Sequence, residues 1–554
     1  MSQSEEQPSE TQAPPPTHWW RTLLSTVGAG LWCLALFAFC LWLYTRNNAF
    51  PVDFHPDEPG KVEQIINEVR NYRHPQLLLE ATQLWVSFTG VPADRMSVVI
   101  AGREIAALFG ALAAAMLALT AYLCARWWGL VLASVLLPLC PPLLTYSHYM
   151  KEDTALVVGL AMCVLASRLI WMTRRWYTRI PAWCLLALGC AAAMSGKYVG
   201  AMTLALPLGL MLVAPGFRWY RPLLRLALFL PMLALLLGII NYRTLNPAGL
   251  DFATVARNPS EWKILFNPSF LSGLEAETEH SASVHWGLTA NRPNTYTLRT
   301  AISQTWPYVA ILALALPLVL LLTRKQGWGW ETLIILFVAL ITYVLSFSII
   351  LFPRYSLPVT VMLHLFAAIA VARLLYAIGP RPVTRFTLGC TATALSLALL
   401  APVCADYTYQ FAADSRYALS NWATENLPLN ARVFADQYAE LNDDGLPFAW
   451  KRRDVSLRTN FILPQMGDFR RQLNYGEAYY VICDLSYSRY SERSAYPGPG
   501  YEETSVFSKR FYEYLLTTQT PIWSSVPARP MNAFTNPTIH VYRMNPEMFQ
   551  AMPQ

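Results

Sequence analysis

Long apolar runs alternate with short polar connections over most of the chain. Eleven runs stand out, at roughly 23–44, 98–124, 129–147, 154–172, 180–196, 198–215, 222–241, 302–323, 330–352, 355–377 and 385–404. About twenty apolar residues in a helix match the hydrocarbon core of a bilayer. The pattern therefore predicts a polytopic α-helical membrane protein with about eleven transmembrane helices. Basic residues fall on alternate connections: Arg126, then Arg174, Arg175 and Arg179, then Arg218, Arg221 and Arg225, then Arg324 and Lys325, then Arg373, Arg381 and Arg385. Cationic loops stay on the cytoplasmic side. The N-terminus is then expected inside and the C-terminus outside, as an odd number of spans requires. The first run is too long for a leader-peptide core and no small-residue cleavage site follows it, so it reads as a retained span.

Two long connections face outward, 45–97 and 242–301. In the first, Val62, Ile65, Ile66 and Val69 recur at i, i+3, i+4, i+7. That spacing predicts a short amphipathic helix lying on the membrane surface. Asp57 and Glu58 stand at its start with Pro59 behind them, as a helix N-terminus prefers. The positive end of the helix dipole favours an ionised Asp57. From about residue 405 charged and turn residues become common, and β-rich runs appear at Arg432–Ala435, Tyr479–Cys483 and Ile539–Tyr542. This predicts a C-terminal extracytoplasmic α/β domain of ordinary size. The expected organisation is a polar, disordered cytoplasmic segment at 1–20, a membrane domain at 21–404 and the outer domain at 405–554.

Composition agrees with that division. The chain is 54% hydrophobic and 14% charged, with a mean hydropathy of +0.30, against about 25% charged for a soluble domain. The net charge of +7 is spread over short inter-helix loops, where membrane orientation accounts for it, so nucleic acid is not an expected partner. Nine of the ten cysteines lie in or beside apolar runs, Cys483 lies in the outer domain, and no CxxC pair occurs. No disulfide framework is expected.

Ionisable residues near spans are costly and often functional. Five groups are expected at the outer boundary: Asp57-Glu58, Arg103-Glu104, Lys151-Glu152-Asp153, Lys197-Tyr198 and Arg354-Tyr355. Singly, each also reads as a snorkelling cation, a belt aromatic or, for Asp57, a solvated helix cap. Together on one face they describe a pocket of carboxylates and cations suited to a lipid-linked, phosphate-bearing substrate.

In chain order these residues resemble the motifs of membrane glycosyltransferases of the C superfamily (GT-C). The branch is that of the protein O-mannosyltransferases and aminoarabinose transferases, bacterial enzymes that use polyprenyl-phosphate sugars. His55-Pro56-Asp57-Glu58 with His74-Pro75-Gln76 is similar to the first-loop acidic motif and its His-Pro-Pro successor, with Gln76 in place of the second proline. Arg103 with Phe109-Gly110 resembles the second-span arginine motif. Tyr149-Met150-Lys151-Glu152-Asp153 resembles the second acidic motif, Ser195-Gly196-Lys197-Tyr198 the Lys-Tyr motif, and Pro353-Arg354-Tyr355 with Pro358 the Arg-Tyr-Pro segment. Glu279, His280 and His285 resemble a less regular outer-loop motif.

The resemblance implies an inverting transfer at the outer face of a bacterial inner membrane, from a polyprenyl-phosphate-linked sugar to a hydroxyl of a protein, glycolipid or envelope glycan. Asp57 would be the base, with Glu58 beside it. Lys197, Arg354, Lys151 and Arg103 would hold the donor phosphate, and Tyr355 and Tyr198 would donate to it or line the sugar site. A divalent ion is open: Asp57, Asp153 and His280 would be ligands for Mg, Mn or Zn, or Lys151 would supply the positive charge instead. Two other readings stand beside this one. They are a transporter or flippase for lipid-linked sugars, and a non-catalytic scaffold with a glycan-binding outer domain.

Overall fold

The computed structural model describes residues 19–173, 176–213, 220–246, 251–280, 294–323, 329–348, 353–379, 381–428, 431–436, 438–439, 458–459, 478–491, 502–527 and 534–544. Within these, helices occupy every one of the apolar runs. Six helical segments are long and apolar enough to cross a membrane: Leu23–Thr45, Arg95–Leu136, Asp153–Met172, Arg179–Gly196, Pro353–Ile378 and Pro382–Asn426. Tyr198–Val213, Arg225–Ile240 and Gly329–Leu345 are shorter apolar helices. The segment Arg95–Leu136 is broken at Ala125 and Arg126, where φ reaches 53° at Arg126. The break falls at the basic connection that separates two of the expected spans. The run at 302–323 is divided into Tyr296–Gln304, Pro307–Leu314 and Leu316–Leu322. Pro307 and Pro317 stand at the first turns of the latter two helices, where a missing N–H costs no intrahelical bond.

Two helices that position the site pack backbone to backbone. A Cβ on Gly159 would lie 2.3 Å from the Ala193 nitrogen, and one on Gly189 2.8 Å from the Cys163 nitrogen. Small residues permit this approach between the antiparallel helices Asp153–Met172 and Trp176–Gly196. It brings the start of the first beside the end of the second, and so Asp153 beside Lys197.

The connection between the first two apolar helices folds back over the spans. Helix Glu58–Ile66 buries Val62 and Ile65 in the core against the Arg95–Leu136 helix. The apolar face is there, but protein covers it, and the expected placement on the membrane surface is corrected. Val69 lies beyond the helix end and is exposed.

Among the described residues the C-terminal region carries a five-stranded sheet ordered β2-β1-β3-β5-β4, with β1 at Arg432–Asp436, β2 at Arg458–Thr459, β3 at Ala478–Cys483, β4 at Trp523–Ser525 and β5 at Ile539–Met544. β1 runs parallel to β2 and β3, and β5 antiparallel to β3 and β4. One face, with Phe434, Tyr480, Ile482 and Tyr542, packs on Phe511, Tyr512 and Leu515 of helix Glu502–Thr518. The other, with Val433, Tyr479, Val481 and Val541, belongs to a core that continues through Phe411 and Leu419 into the spans. The C-terminal sheet is therefore packed onto the apolar helices.

At the end of β1, the buried Asp436 carboxylate accepts from Cys483 N at 3.0 Å, Tyr512 Oη at 2.9 Å and Tyr480 Oη at 3.3 Å. Burial pushes its pKa up to about 7 against the pull of these donors. The folded carboxyl thus holds its proton more tightly than the unfolded chain does. The contribution is complete below the unfolded pKa of about 4 and is lost as pH rises through 7. The unfolding temperature of this C-terminal region is expected to fall between pH 4 and pH 8, and Asp436→Asn to flatten that slope in thermal melts. An unchanged slope in the variant would assign it elsewhere.

Candidate active site

Asp57 occupies the N-cap position of helix Glu58–Ile66, yet its side chain makes no capping hydrogen bond. It turns instead to Lys151, whose Nζ donates to Oδ2, and to Arg354, whose Nη1 lies 3.7 Å from the same oxygen. The Asp57 side chain is 35% exposed, whereas Lys151 and Arg354 are 3% and 13% exposed. The carboxylate thus meets solvent with its cations behind it.

Lys151 belongs to a buried stretch between helices Pro141–Tyr146 and Asp153–Met172. Gly102 makes room for that stretch, because a Cβ there would meet Met150 Sδ at 2.4 Å. Lys151 Nζ also lies 3.3 Å from Glu152 Oε2, and Glu152 Oε1 is 2.9 Å from Lys61 Nζ. Lys61 comes from the helix that Asp57 starts, so the ion pairs run from that helix out to Glu152 and Lys151 and back to Asp57. Asp153 Oδ1 accepts from Lys197 Nζ at 2.7 Å. The Lys197 ammonium stands 4.7 Å from the centre of the Tyr355 ring, and the Arg354 guanidinium 5.7 Å from it. Tyr355 is thus a shared aromatic floor for two cations. Three carboxylates (Asp57, Glu152, Asp153) face four cations (Lys61, Lys151, Lys197, Arg354), an excess of one positive charge.

Burial alone would raise the Asp57 carboxyl, but Lys151, with Lys61 and Arg354, outweighs it and holds the group well below its usual range. Glu152 is held low in the same way by Lys151 and Lys61. Burial lowers Lys61 despite Glu152, and pushes His74 down to about 4. Both acids are therefore ionised and His74 neutral at neutral pH.

The structure separates two expected members from this group. Arg103 is 0% exposed. Its Nε donates to Glu58 Oε1 at 3.0 Å, Nη2 to Glu58 Oε2 at 2.5 Å and to the Pro51 carbonyl at 3.1 Å, and Nη1 to the carbonyls of Asn48 at 2.8 Å and Phe50 at 2.5 Å. All five guanidinium donors are used, and the group stacks 3.4 Å over the Phe50 ring. No donor remains for a phosphate. Glu58, also fully buried, takes the Met150 N–H at 2.7 Å. Burial pushes its carboxyl up although Arg103 opposes this. The phosphate role expected for Arg103 and the catalytic role expected for Glu58 are corrected: the pair clamps the first loop to the second span and to the Lys151 stretch.

The Tyr198 hydroxyl donates to the Tyr72 carbonyl at 2.9 Å and so ties loops together. Glu279 stands exposed on helix Pro268–His280, which packs at Gly273 against the Asn71 carbonyl. The His280 side chain and all of His285 lie outside the described residues. Among the described residues no group of three or more His, Cys, Asp or Glu is placed to hold a metal ion. Of the expected ligands, Asp57 and Asp153 each face ammonium or guanidinium groups. Carboxylates already neutralised by cations, in a site of positive excess, fit an anion and not a divalent metal.

Lys61 was not expected at this site. Its position four residues after Asp57 is the spacing that puts two side chains on one helix flank, and that signal was available in the sequence.

No family model matches the chain, and no curated protein matches it. Among solved structures the chain is similar to ArnT from Cupriavidus metallidurans bound to undecaprenyl phosphate, with 14% identity, 95% of this chain and 98% of that one covered, and a TM-score of 0.47. It is similar to the oligosaccharyltransferase AglB from Archaeoglobus fulgidus in complex with an inhibitory peptide and a dolichol-phosphate (13% identity, 83% and 70% covered, TM-score 0.44). It is also similar to the S. cerevisiae protein O-mannosyltransferase complex bound to the sugar donor (17% identity, 44% and 37% covered, TM-score 0.36). The likeness is distant, and the roles assigned below rest on the chain's own residues.

Proposed function

We propose that the chain is an inverting glycosyltransferase of a bacterial inner membrane, moving a sugar from a polyprenyl-phosphate donor to a hydroxyl acceptor at the outer face. The observation that carries this reading is the partly exposed Asp57 carboxylate set against Lys151 and Arg354, in a site with one positive charge in excess. Cations of this kind suit a phosphate, and a carboxylate beside it suits a proton acceptor.

The chemistry follows from the charges. The donor phosphodiester, an anion, settles among Lys197, Arg354 and Lys151, with Tyr355 beneath. Arg354 offers it paired donors and the lysines act as point charges. Before the donor binds, Lys151 and Arg354 hold Asp57 as a weak base. Phosphate competes for those cations, relaxes their hold and makes Asp57 more basic when the sugar is in place. The acceptor hydroxyl gives its proton to Asp57 as its oxygen bonds to the anomeric carbon. The carbon–oxygen bond to phosphate breaks on the opposite face, and its electron pair leaves with the phosphate oxygen. Cations fixed around that oxygen stabilise the growing charge without reorganising. Glu152 and Lys61 hold Lys151 from behind. The acceptor is a hydroxyl of a protein, a glycolipid or an envelope glycan.

Removing one charge-assisted contact costs roughly 1.5–3 kcal/mol, about 10- to 100-fold in affinity. Lys197→Ala and Arg354→Ala are each expected to weaken polyprenyl-phosphate binding by that factor, measured on purified protein in lipid nanodiscs. Normal affinity in both would remove them from the phosphate site. Sugar-lipid crossing vesicles of the purified chain with no new glycosidic bond would make the protein a transporter.

A further inference from the structure

The stretch that carries Asp57 is held from two sides. From the membrane side come Lys151 and Arg354. From the other side comes the outer domain, through residues more than three hundred positions away in the chain. Arg416, 0% exposed, donates Nη1 to the Phe54 carbonyl at 3.1 Å, and its guanidinium lies 3.6 Å from the centre of the Phe54 ring. Asp414 fixes that guanidinium through two bonds, Nε to Oδ1 at 2.8 Å and Nη2 to Oδ2 at 2.7 Å. A further bond runs from Arg416 Nη2 to the Phe534 carbonyl at 2.7 Å.

Phe534 returns to the same loop. Its ring meets that of His55 edge to face, with centroids 4.6 Å apart. His55, fully buried between Phe534 and Tyr149, accepts the backbone N–H of Asp57 on Nδ1 at 3.2 Å. Burial keeps the imidazole neutral, well below its usual pKa, and a neutral ring is what an accepting Nδ1 requires. Two lines of contact thus connect the outer domain with the base: Asp414 to Arg416 to Phe54, and Phe534 to His55 to the Asp57 amide.

A buried Arg–Asp pair gives little net stability over an apolar pair of the same shape, because both charges leave water. Its bonds are directional, however, and here one of them ends on the Phe54 carbonyl, three residues before a carboxylate that must face its cations. We infer that Arg416 is a positioning residue for Asp57, and that the outer domain, through Arg416 and Phe534, braces the loop so that the carboxylate stands where an acceptor hydroxyl meets the anomeric carbon. This rests on the reading of Asp57 as the base. Lys197 and Arg354 are carried by the ends of spans, so loosening the brace should affect proton transfer and spare donor binding.

The test uses full-length protein in nanodiscs with Arg416→Lys and Phe534→Leu, and Asp57→Asn alongside. Undecaprenyl phosphate is the binding probe, and kcat is read with an undecaprenyl-phosphate sugar that the wild type turns over. Misplacing a reacting group by about 1 Å costs on the order of 100-fold. The expected result for both brace variants is a 10- to 100-fold lower kcat with the Kd for undecaprenyl phosphate within twofold. Hydrogen exchange at the Asp57 amide should quicken, and the acidic limb of the pH–rate profile should move up as Lys151 and Arg354 grip the carboxylate less firmly. A purely structural role would lower kcat and binding together in proportion to the folded fraction, with the pH profile unmoved, and would overturn the inference. Wild-type kcat in both brace variants beside an inactive Asp57→Asn would overturn the brace alone. Wild-type kcat in Asp57→Asn would overturn the base, and the brace with it.

Discussion

Asp57→Asn is expected to lose sugar transfer by a factor of about 10²–10⁴, the range for removing a general base, while still inserting and binding polyprenyl phosphate. The amide has the shape of the carboxylate but takes no proton from a hydroxyl. Folding should be spared, because the Asp57 side chain makes no capping bond and is partly exposed. What the variant loses is the partner of Lys151 and Arg354. Those cations become freer for phosphate, so donor affinity should hold or tighten. This combination, with transfer gone and the donor bound at least as well, separates a base from a folding residue. Transfer at the wild-type rate would remove Asp57 from the chemistry.

The second large effect concerns stability. Breaking a buried ion pair by removing one partner costs about 3–5 kcal/mol, because the other charge is left unpaired out of water. Arg103→Leu leaves Glu58 in that state and strips bonds from three carbonyls as well. Its expected outcome is a much lower unfolding temperature and poor recovery from membranes. Glu58→Gln combined with Arg103→Met should be less damaging than Arg103→Leu alone, since no charge is then stranded. Thermal unfolding in detergent distinguishes this clamp from a ligand role. A stable Arg103→Leu protein with weakened donor binding would return Arg103 to the phosphate site.

The span ends were legible in the sequence because charge beside a long apolar run is costly and conspicuous. Asp57, Lys151, Glu152, Asp153, Lys197, Arg354 and Tyr355 were all found that way, and the structure brings them together. Neighbours within a motif were not separable. Asp57 and Glu58 are adjacent, yet one faces the cations and the other the interior, and which does which depends on Arg103, 45 residues away. Periodicity announced the apolar face of helix Glu58–Ile66 but not what covers it. Three strands were visible as β-rich runs, while β2 and β4, of two and three residues, were too short to show. The contact between Arg416 and Phe54, separated by 362 residues, has no local signature.

The single positive charge in excess around Tyr355 also bears on how a turnover finishes. A donor phosphodiester carries one negative charge and brings the site to neutrality. As transfer proceeds Asp57 gains a proton, while the departing lipid becomes a phosphate monoester carrying close to two negative charges. Neutrality therefore survives the chemical step, and the spent lipid is still gripped. Only when the proton leaves Asp57 for water does a dianion face a singly positive pocket beside a newly restored carboxylate. On the proposed mechanism, resetting the base and expelling the carrier lipid become one event, and the cycle can restart only from an empty, recharged site.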